Sequence, residues 1–264
     1  MQNKNEPLVR MEQIDKTFNP DSVNEVILFQ NFNLTINSGE FVSVIGSNGS
    51  GKTTILNLLC GSLPIDKGHI FVNNVEITTL KEFQHSAFIG RVFQDPSKGT
   101  CPSMTILENM AMADNKGKSY GIRIGVNRKR IDYYKSQLEL LKLGLEDKLD
   151  LSVGSLSGGQ RQALALLIST MTPLDLLILD EHTAALDPKS SENVMELTET
   201  IVKKKQVTTL MVTHNLKFSI NYGNRLVMMH RGNIIIDAKG NEKERMKTAD
   251  LTAKFNEISL EDGN

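Results

Sequence analysis

Residues 41 to 60 read FVSVIGSNGSGKTTILNLLC, and their pattern is the strongest indication of the fold class. It opens with a mostly apolar run, Phe41 to Ile45, which is typical of a strand covered on both faces. A glycine-rich turn follows, and Thr53 to Cys60 then has the apolar spacing of a helix. A strand, a glycine-rich turn and a helix in this order predict the first half of a βαβ unit.

The turn has the pattern of a phosphate-binding loop (Walker A): two glycines flank four residues, and a lysine and a hydroxyl residue follow. Glycines let the backbone curl so that successive N–H groups point at phosphate oxygens, and the helix start adds a partial positive charge. We expect Lys52 to reach the β- and γ-phosphates, and the Thr53 hydroxyl to serve Mg²⁺. The expected nucleotide-binding residues of the loop are Gly46, Ser47, Asn48, Gly49, Ser50, Gly51, Lys52, Thr53 and Thr54.

A second apolar run, Leu174 to Asp180, ends in a carboxylate, and Glu181 follows it. Open α/β sheets bind their ligands at the edge where such strands end. Asp180 is therefore a candidate ligand of Mg²⁺, directly or through water, and Glu181 a candidate general base for the attacking water. A strand that ends in two acidic residues is common by itself, but the phosphate-binding loop upstream favours this interpretation.

Leu156 to Gln160 read LSGGQ, directly before a predicted helix, Arg161 to Thr170. A serine hydroxyl and glycine N–H groups at a helix start form a second anion site. One chain already uses its phosphate-binding loop on the triphosphate. A second γ-phosphate site therefore implies a second copy of the chain, with each copy completing the pocket of the other across a twofold axis. The expected nucleotide contacts are Ser157, Gly158, Gly159 and Gln160.

The first third of the chain has the apolar pattern of strands. From about Asp95 to Thr170 the pattern becomes that of helices, and we interpret this segment as an inserted lobe. Strand patterns then return, and with the helix between them they predict a parallel sheet core. The further predicted strands are Leu8–Ile14, Val26–Phe29, Phe32–Ile36, Val207–Thr213, and a hairpin of Arg225–His230 and Ile234–Asp237. The further predicted helices are Thr105–Ala113, Ile131–Leu143 and a short closing helix with Leu251, Phe255 and Ile258.

The composition limits the possible functions. Lysine plus arginine (30) nearly balances aspartate plus glutamate (31), so the chain has no positive field that would collect nucleic acid. The polar beginning, the two cysteines and the lack of an apolar run of about 18 residues predict a cytoplasmic location with reduced thiols. A membrane role would therefore need a partner that spans the membrane.

Together, these motifs resemble the nucleotide-binding domain of ATP-binding-cassette (ABC) transporters over roughly residues 7 to 240. The resemblance implies an α/β P-loop NTPase fold with a mixed sheet core, an N-terminal antiparallel β region and a helical lobe over about 95–170. Residues 241–264 would form a helical tail. ATP and Mg²⁺ are the implied cofactors, and ATP hydrolysis is the implied reaction.

The resemblance gives roles to four further residues. Gln94, after the predicted strand Phe88–Phe93, matches the glutamine that touches Mg²⁺ and water and begins the lobe that contacts the permease. His214 matches the switch histidine beside the γ-phosphate, and Asp187 matches the loop aspartate at the dimer seam. Phe18 matches the aromatic residue that stacks on adenine, where tyrosine is more usual; a core phenylalanine is the alternative.

One departure from the family narrows the resemblance: His182 stands where most members have proline. The string Asp180 to Asp187, with Phe93–Pro96 and Pro102–Thr105, resembles a bacterial subgroup labelled tryptophan/tyrosine transport ATPases. Members of that subgroup serve importers with a lipoprotein substrate-binding component. His182 would lie near the hydrolytic water, where it either tunes Glu181 or has a structural role.

The implied protein is the ATP-hydrolysing subunit of a bacterial importer, bound peripherally at the cytoplasmic face of the membrane. Its implied partners are a second copy in an ATP-sandwich homodimer, an integral membrane permease and an extracytoplasmic substrate-binding protein, with no nucleic acid. Water held by Glu181 and His214 would attack in line, assisted by Lys52.

A soluble cassette ATPase that acts on nucleic acid or ribosomes is the alternative. Its best support is the basic stretch Lys116 to Arg130. We interpret this stretch as lobe surface near lipid headgroups or the permease, and a solvated loop remains the other interpretation.

Overall fold

The computed structural model describes residues 7–118 and 125–261. Its contacts divide the chain into two compact units, one that runs up to Ile89 and resumes at Val207, and one of Gly90–Gln206. The strands are β1 (Pro7–Phe18), β2 (Val26–Asn37), β3 (Phe41–Gly46), β4 (Lys67–Val72), β5 (Val75–Glu76), β6 (Ile89–Val92), β7 (Leu176–Asp180), β8 (Thr208–Val212), β9 (Arg225–His230) and β10 (Asn233–Lys239). The α-helices are α1 (Lys52–Cys60), α2 (Glu82–His85), α3 (Ile106–Asp114), α4 (Ile131–Leu138), α5 (Gly158–Ser169), α6 (Pro188–Lys205), α7 (Leu216–Asn221), α8 (Asn241–Arg245) and α9 (Thr248–Glu261).

An antiparallel sheet in the order β2-β1-β4-β5 occupies part of the first unit. The prediction of two strands, Val26–Phe29 and Phe32–Ile36, was wrong, because β2 runs unbroken through both. Asn31 takes a φ of +53°, a conformation that asparagine tolerates, and its N–H donates to the Asp15 carboxylate at 2.8 Å. The chain therefore forms an irregular pairing with β1 at Asn31 instead of a turn.

The other strands of the first unit confirm the predicted parallel core. The strand β3 pairs in parallel with both β8 and β9, and every one of its residues is buried. The predicted hairpin is also present, since β10 pairs antiparallel with β9 across Arg231 and Gly232, both at positive φ. The closing helix α9 covers this sheet with Leu251 and Ile258.

The second unit contains the neighbouring strands β6 and β7 and the helices α3 to α6. The helix predicted over Ile131–Leu143 is shorter, because α4 ends at Leu138 and a 3₁₀ turn, Glu139–Leu141, leads to Lys142 at a φ of +54°. The lobe boundaries at 95 and 170 remain predictions. None of the described helices is long and apolar enough to cross a bilayer.

Candidate functional site

The phosphate-binding loop lies between β3 and α1 in the first unit, and two glycines fix its shape. A Cβ atom on Gly46 would overlap the backbone oxygen of Met229. Gly51 has a φ of +104°, and a Cβ there would lie 2.7 Å from the buried ring of Phe29. Neither position accepts a side chain, because strands β2 and β9 approach the loop too closely.

Lys52 lies buried at the centre of this loop. Its ammonium group donates to the backbone oxygens of Gly46 at 2.9 Å and Ser47 at 2.8 Å. The charge is thus held inside the curl of the loop by carbonyl oxygens. A γ-phosphate that enters the loop offers this ammonium group a stronger, charged acceptor.

The helix α1 begins without a capping side chain, since its N-cap residue is Gly51. Asn48, Gly49 and Thr53 are exposed around this start. The first N–H groups of a helix have no intrahelical partners, and a glycine N-cap cannot supply one from its side chain. An anion from solution fits this position.

His230 was missed by the sequence reasoning. It ends β9, and its Nδ1 lies 3.2 Å from the Ser47 hydroxyl, so it supports the loop from the side. The next turn adds a second contact, because Gly232 donates its N–H to the Ser50 carbonyl oxygen at 3.1 Å. No local motif indicates either contact, because both join segments that are far apart in the sequence. His230 and Ser47, for example, are separated by 183 residues.

His214 is exposed two residues beyond the end of β8. Because β3 and β8 are parallel, with Val44 opposite Val212, His214 and the phosphate-binding loop lie at the same edge of the sheet. Phe18 ends β1 with its ring partly exposed, and the Lys16 ammonium lies 5.8 Å from the ring centroid. A partly exposed ring argues against the alternative of a core phenylalanine.

In the second unit, Asp180 is the last residue of β7, and Glu181 directly follows the strand. The Asp180 carboxylate accepts a hydrogen bond from the Arg91 guanidinium, on the neighbouring strand β6, at 2.6 Å. Glu181 has a φ of +47°, a conformation that costs a residue other than glycine about 1–2 kcal/mol. The strained turn sends the chain away from the strand direction directly after Asp180, as is common at functional sites.

Gln94 is exposed just beyond the end of β6. The buried Gln162 of α5 donates to the carbonyl oxygen of Phe93 at 2.9 Å, so the backbone before Gln94 is fixed to α5. The exposed amide of Gln94 is free of that anchoring contact and can serve a ligand.

The LSGGQ motif starts α5 with a capping box. The Ser157 hydroxyl accepts from the Gln160 N–H at 3.2 Å, and the Gln160 side chain accepts from the Ser157 N–H at 3.0 Å. A hydroxyl that accepts in this way can still donate its own proton to a phosphate. The motif therefore has the geometry of an anion site at a helix start.

The two glycines of the motif also pack against the start of α6. A Cβ on Gly158 would lie 3.3 Å from the Leu186 side chain, and one on Gly159 would lie 3.3 Å from Ser190. Asp187 is the N-cap of α6 and accepts from the Ser190 N–H at 3.1 Å. Hydrogen bonds from Ser190 hold the pKa of Asp187 below its usual range. The LSGGQ motif and the Asp187 loop thus form one surface.

His182 is buried and has a structural contact. Its Nε2 lies 3.1 Å from the Thr198 hydroxyl of α6, and that hydroxyl donates to the Val194 carbonyl oxygen at 2.7 Å. Burial lowers the pKa of His182 to about 4, so the ring is neutral at pH 7. The structural role is therefore the better supported of the two.

The basic stretch lies partly outside the described residues, which omit 119–124. Of its described members, Lys118 and Arg130 both pair with the buried Asp114, at 3.5 and 2.6 Å. The single carboxylate offsets only one of these two positive charges, and Arg128 and Lys129 are exposed. The interpretation of this stretch as lobe surface near lipid headgroups or the permease stays a prediction.

The residues expected to hold Mg²⁺ offer a hydroxyl, an amide and a carboxylate oxygen, on Thr53, Gln94 and Asp180 respectively. Hard cations such as Mg²⁺ prefer these donors, and Mg²⁺ usually takes one or two carboxylates together with nucleotide phosphates. In the second unit, Asp180 is the last residue of β7, and Gln94 lies just beyond the end of the neighbouring strand β6. The donor set fits the metal.

Comparison with protein families matches residues 29–184 to the model described as "ABC transporter". A tyrosine transport ATP-binding protein of Clostridioides difficile is 45% identical over 94% of this chain and 98% of its own length. A spermidine/putrescine import ATP-binding protein of Haemophilus influenzae is 33% identical over 90% of this chain, which spans 60% of that relative.

Solved structures give the same assignment for the fold. The ADP conformation of MJ1267, an ATP-binding cassette of an ABC transporter, has a TM-score of 0.78 and 27% identity over 97% of this chain and 99% of its own. A dimeric post-hydrolysis state of the cassette MJ0796, bound to ADP and Pi, has a TM-score of 0.72 and 26% identity over 88% of this chain and 98% of its own.

Proposed function

Because the chain belongs to the ABC transporter family, whose ATP-binding cassettes hydrolyse ATP, we propose that it powers an importer as a pair of identical copies. The single observation that carries this proposal is the phosphate-binding loop, with Lys52 buried inside its curl and an open helix start beside it. Such a loop binds the phosphates of a nucleotide and leaves the base to other residues. Phe18 provides a partly exposed ring for adenine.

Hydrolysis requires a base that receives a proton from water. We assign this role to Glu181, whose turn directly follows β7, and place His214 beside the γ-phosphate. The water oxygen forms a bond to the γ-phosphorus, the bond from that phosphorus to the bridging oxygen of ADP breaks, and Glu181 takes the proton. Lys52 and the loop N–H groups stabilise the negative charge that spreads over the γ-phosphate oxygens.

Asp180, Thr53 and Gln94 would hold Mg²⁺, because their oxygen donors suit this ion. When bound, the ion neutralises negative charge on the β- and γ-phosphates.

A second copy would complete the site. The LSGGQ surface of one copy, with the Ser157 hydroxyl and the N–H of Gly159, would face the γ-phosphate held by the other copy. Asp187 would lie at the seam, since its loop packs against the same motif. The dimeric MJ0796 cassette supports this arrangement.

The proposed cargo is tyrosine or a closely related aromatic amino acid. The relative named for tyrosine transport is 45% identical and matches over nearly its whole length, whereas the polyamine import relative is 33% identical and longer than this chain. The cargo would be recognised by a membrane permease and an extracytoplasmic binding protein, with this chain bound peripherally at the cytoplasmic face.

Reconstitution of the complete complex in vesicles tests the proposal. We expect tyrosine to stimulate ATP hydrolysis severalfold and spermidine to leave it unchanged. In the same complex, Glu181→Gln should bind ATP normally but reduce turnover by at least about 100-fold, because the water loses its base. Stimulation by spermidine instead of tyrosine would reject the cargo, and unchanged turnover in Glu181→Gln would reject the assigned base.

A further inference from the structure

The ion pair between Arg91 and Asp180 is not explained by the proposed chemistry. The guanidinium of Arg91 donates to one carboxylate oxygen, Oδ2 of Asp180, at 2.6 Å. The side chains are only 15% and 17% exposed, so water screens the pair weakly. The carboxylate proposed to serve Mg²⁺ therefore already has a cation beside it.

The surroundings hold Arg91 in this position. Its guanidinium lies 4.8 Å from the centroid of the Phe93 ring, and its backbone oxygen accepts from the Ser169 hydroxyl at 3.2 Å. An arginine does not lose its charge at any pH that a protein survives. The positive charge beside Asp180 is therefore permanent, and only a movement of the side chain could remove it.

We propose that Arg91 is a positioning residue that orients Asp180 through Oδ2 and keeps it from binding free divalent cations before the nucleotide arrives. This inference rests on the proposed role of Asp180 as a metal ligand. A metal ion that approaches Asp180 alone meets the repulsion of the guanidinium, which is strong at a few ångströms in a poorly screened site. A bound triphosphate changes this balance, because its several negative charges exceed the single positive charge of the guanidinium. Arg91 thus makes metal binding at Asp180 depend on ATP.

Direct measurement of Mn²⁺ binding without nucleotide, by electron paramagnetic resonance, tests the proposal on the full chain. Arg91→Met removes the charge and keeps the length of the side chain, and we expect it to bind Mn²⁺ at least about fivefold more tightly than the wild type. Arg91→Lys keeps the charge, so its Mn²⁺ affinity should stay within about twofold of the wild type. Adding Asp180→Asn to Arg91→Met should abolish the gain, because the ligand is then lost.

Arg91→Gln serves if Arg91→Met does not fold, since an amide can still donate to Asp180 without a charge. Equal Mn²⁺ affinity of the wild type and of a folded, uncharged variant would overturn the proposal, as would a gain that survives Asp180→Asn. A different result would show that Asp180 is not a metal ligand at all. In that case, Asp180→Asn alone would leave the Mg²⁺ dependence of ATP binding unchanged.

Discussion

Among single residues, His182 has a ring orientation that its hydrogen bond to Thr198 determines. The Thr198 hydroxyl donates its proton to the Val194 carbonyl oxygen, so it can only accept from His182. The ring is therefore the tautomer with its proton on Nε2. This hydrogen bond between His182 and Thr198 connects the turn after β7 to α6. It therefore restrains the backbone next to the strained residue Glu181.

Burial of His182 predicts a pH dependence of stability. The pKa is lowered from 6.5 to about 4 in the folded chain, so the unfolded chain binds more protons between these values. The contribution is present above pH 6.5 and is lost as the pH falls towards 4. Between pH 7 and pH 4.5, the wild type should lose about 2 kcal/mol more unfolding free energy than His182→Gln, in which an amide replaces the titrating ring.

Urea unfolding at the two pH values measures this difference. The subtraction removes the effect of the other titrating groups, which both proteins share. Parallel losses in the two proteins would show that His182 is not buried as a neutral ring.

At the scale of the element, the unit formed by β3, the phosphate-binding loop and α1 depends on neighbours from β2 and β9. Gly49 and Gly51 both have positive φ, but only Gly51 faces a neighbour. The Phe29 ring beside it is fully buried and stacks on Phe32 at 4.6 Å, so it has little room to move. An alanine in place of Gly49 would therefore introduce backbone strain alone. An alanine in place of Gly51 would add a steric clash with Phe29 to the same strain.

We expect Gly51→Ala to destabilise the chain more than Gly49→Ala. Gly49→Ala should cost about 1 kcal/mol for the unfavourable φ alone, and Gly51→Ala about 2–4 kcal/mol, because overpacking adds to the same strain. Urea unfolding of both variants gives the comparison. A smaller loss for Gly51→Ala would mean that the contact with Phe29 does not constrain the loop.

At the scale of the whole molecule, the proposed site belongs to two copies, each of which gives its phosphate-binding loop to one nucleotide and its LSGGQ motif to the other. Lys52→Met disables the first part and Ser157→Glu the second, since a carboxylate there repels phosphate. In a mixed pair, both defects fall in one of the two sites and leave the other intact.

Mixing the two inactive variants should therefore restore activity. With random pairing, half of the pairs are mixed and each has one intact site, so we expect about a quarter of the wild-type turnover in the assembled complex. Each variant alone is the control. If the mixture stays as inactive as its parts, the loop and the motif of one copy serve the same nucleotide.

Much of this protein could be predicted from its sequence, because its main motifs are local. The phosphate-binding loop, the carboxylate at the end of β7 and the serine-capped start of α5 each lie within a few consecutive residues, and their spacing fixes their backbone geometry. The hairpin β4–β5 was not predicted, although Asn73 and Asn74, both at positive φ, form its turn.

The contacts between distant segments could not be predicted from the sequence, because they form only in the folded chain. Arg91 contacts Asp180, which is 89 residues away in the sequence, and His230 contacts Ser47, which is 183 residues away. The hydrogen-bond acceptor of His182 lies on α6. Local spacing determines whether a segment forms a strand or a helix, but strand register and side-chain direction in the folded chain determine which side chains meet. The sequence therefore predicted the chemical groups of the site, and folding determined what holds them in place.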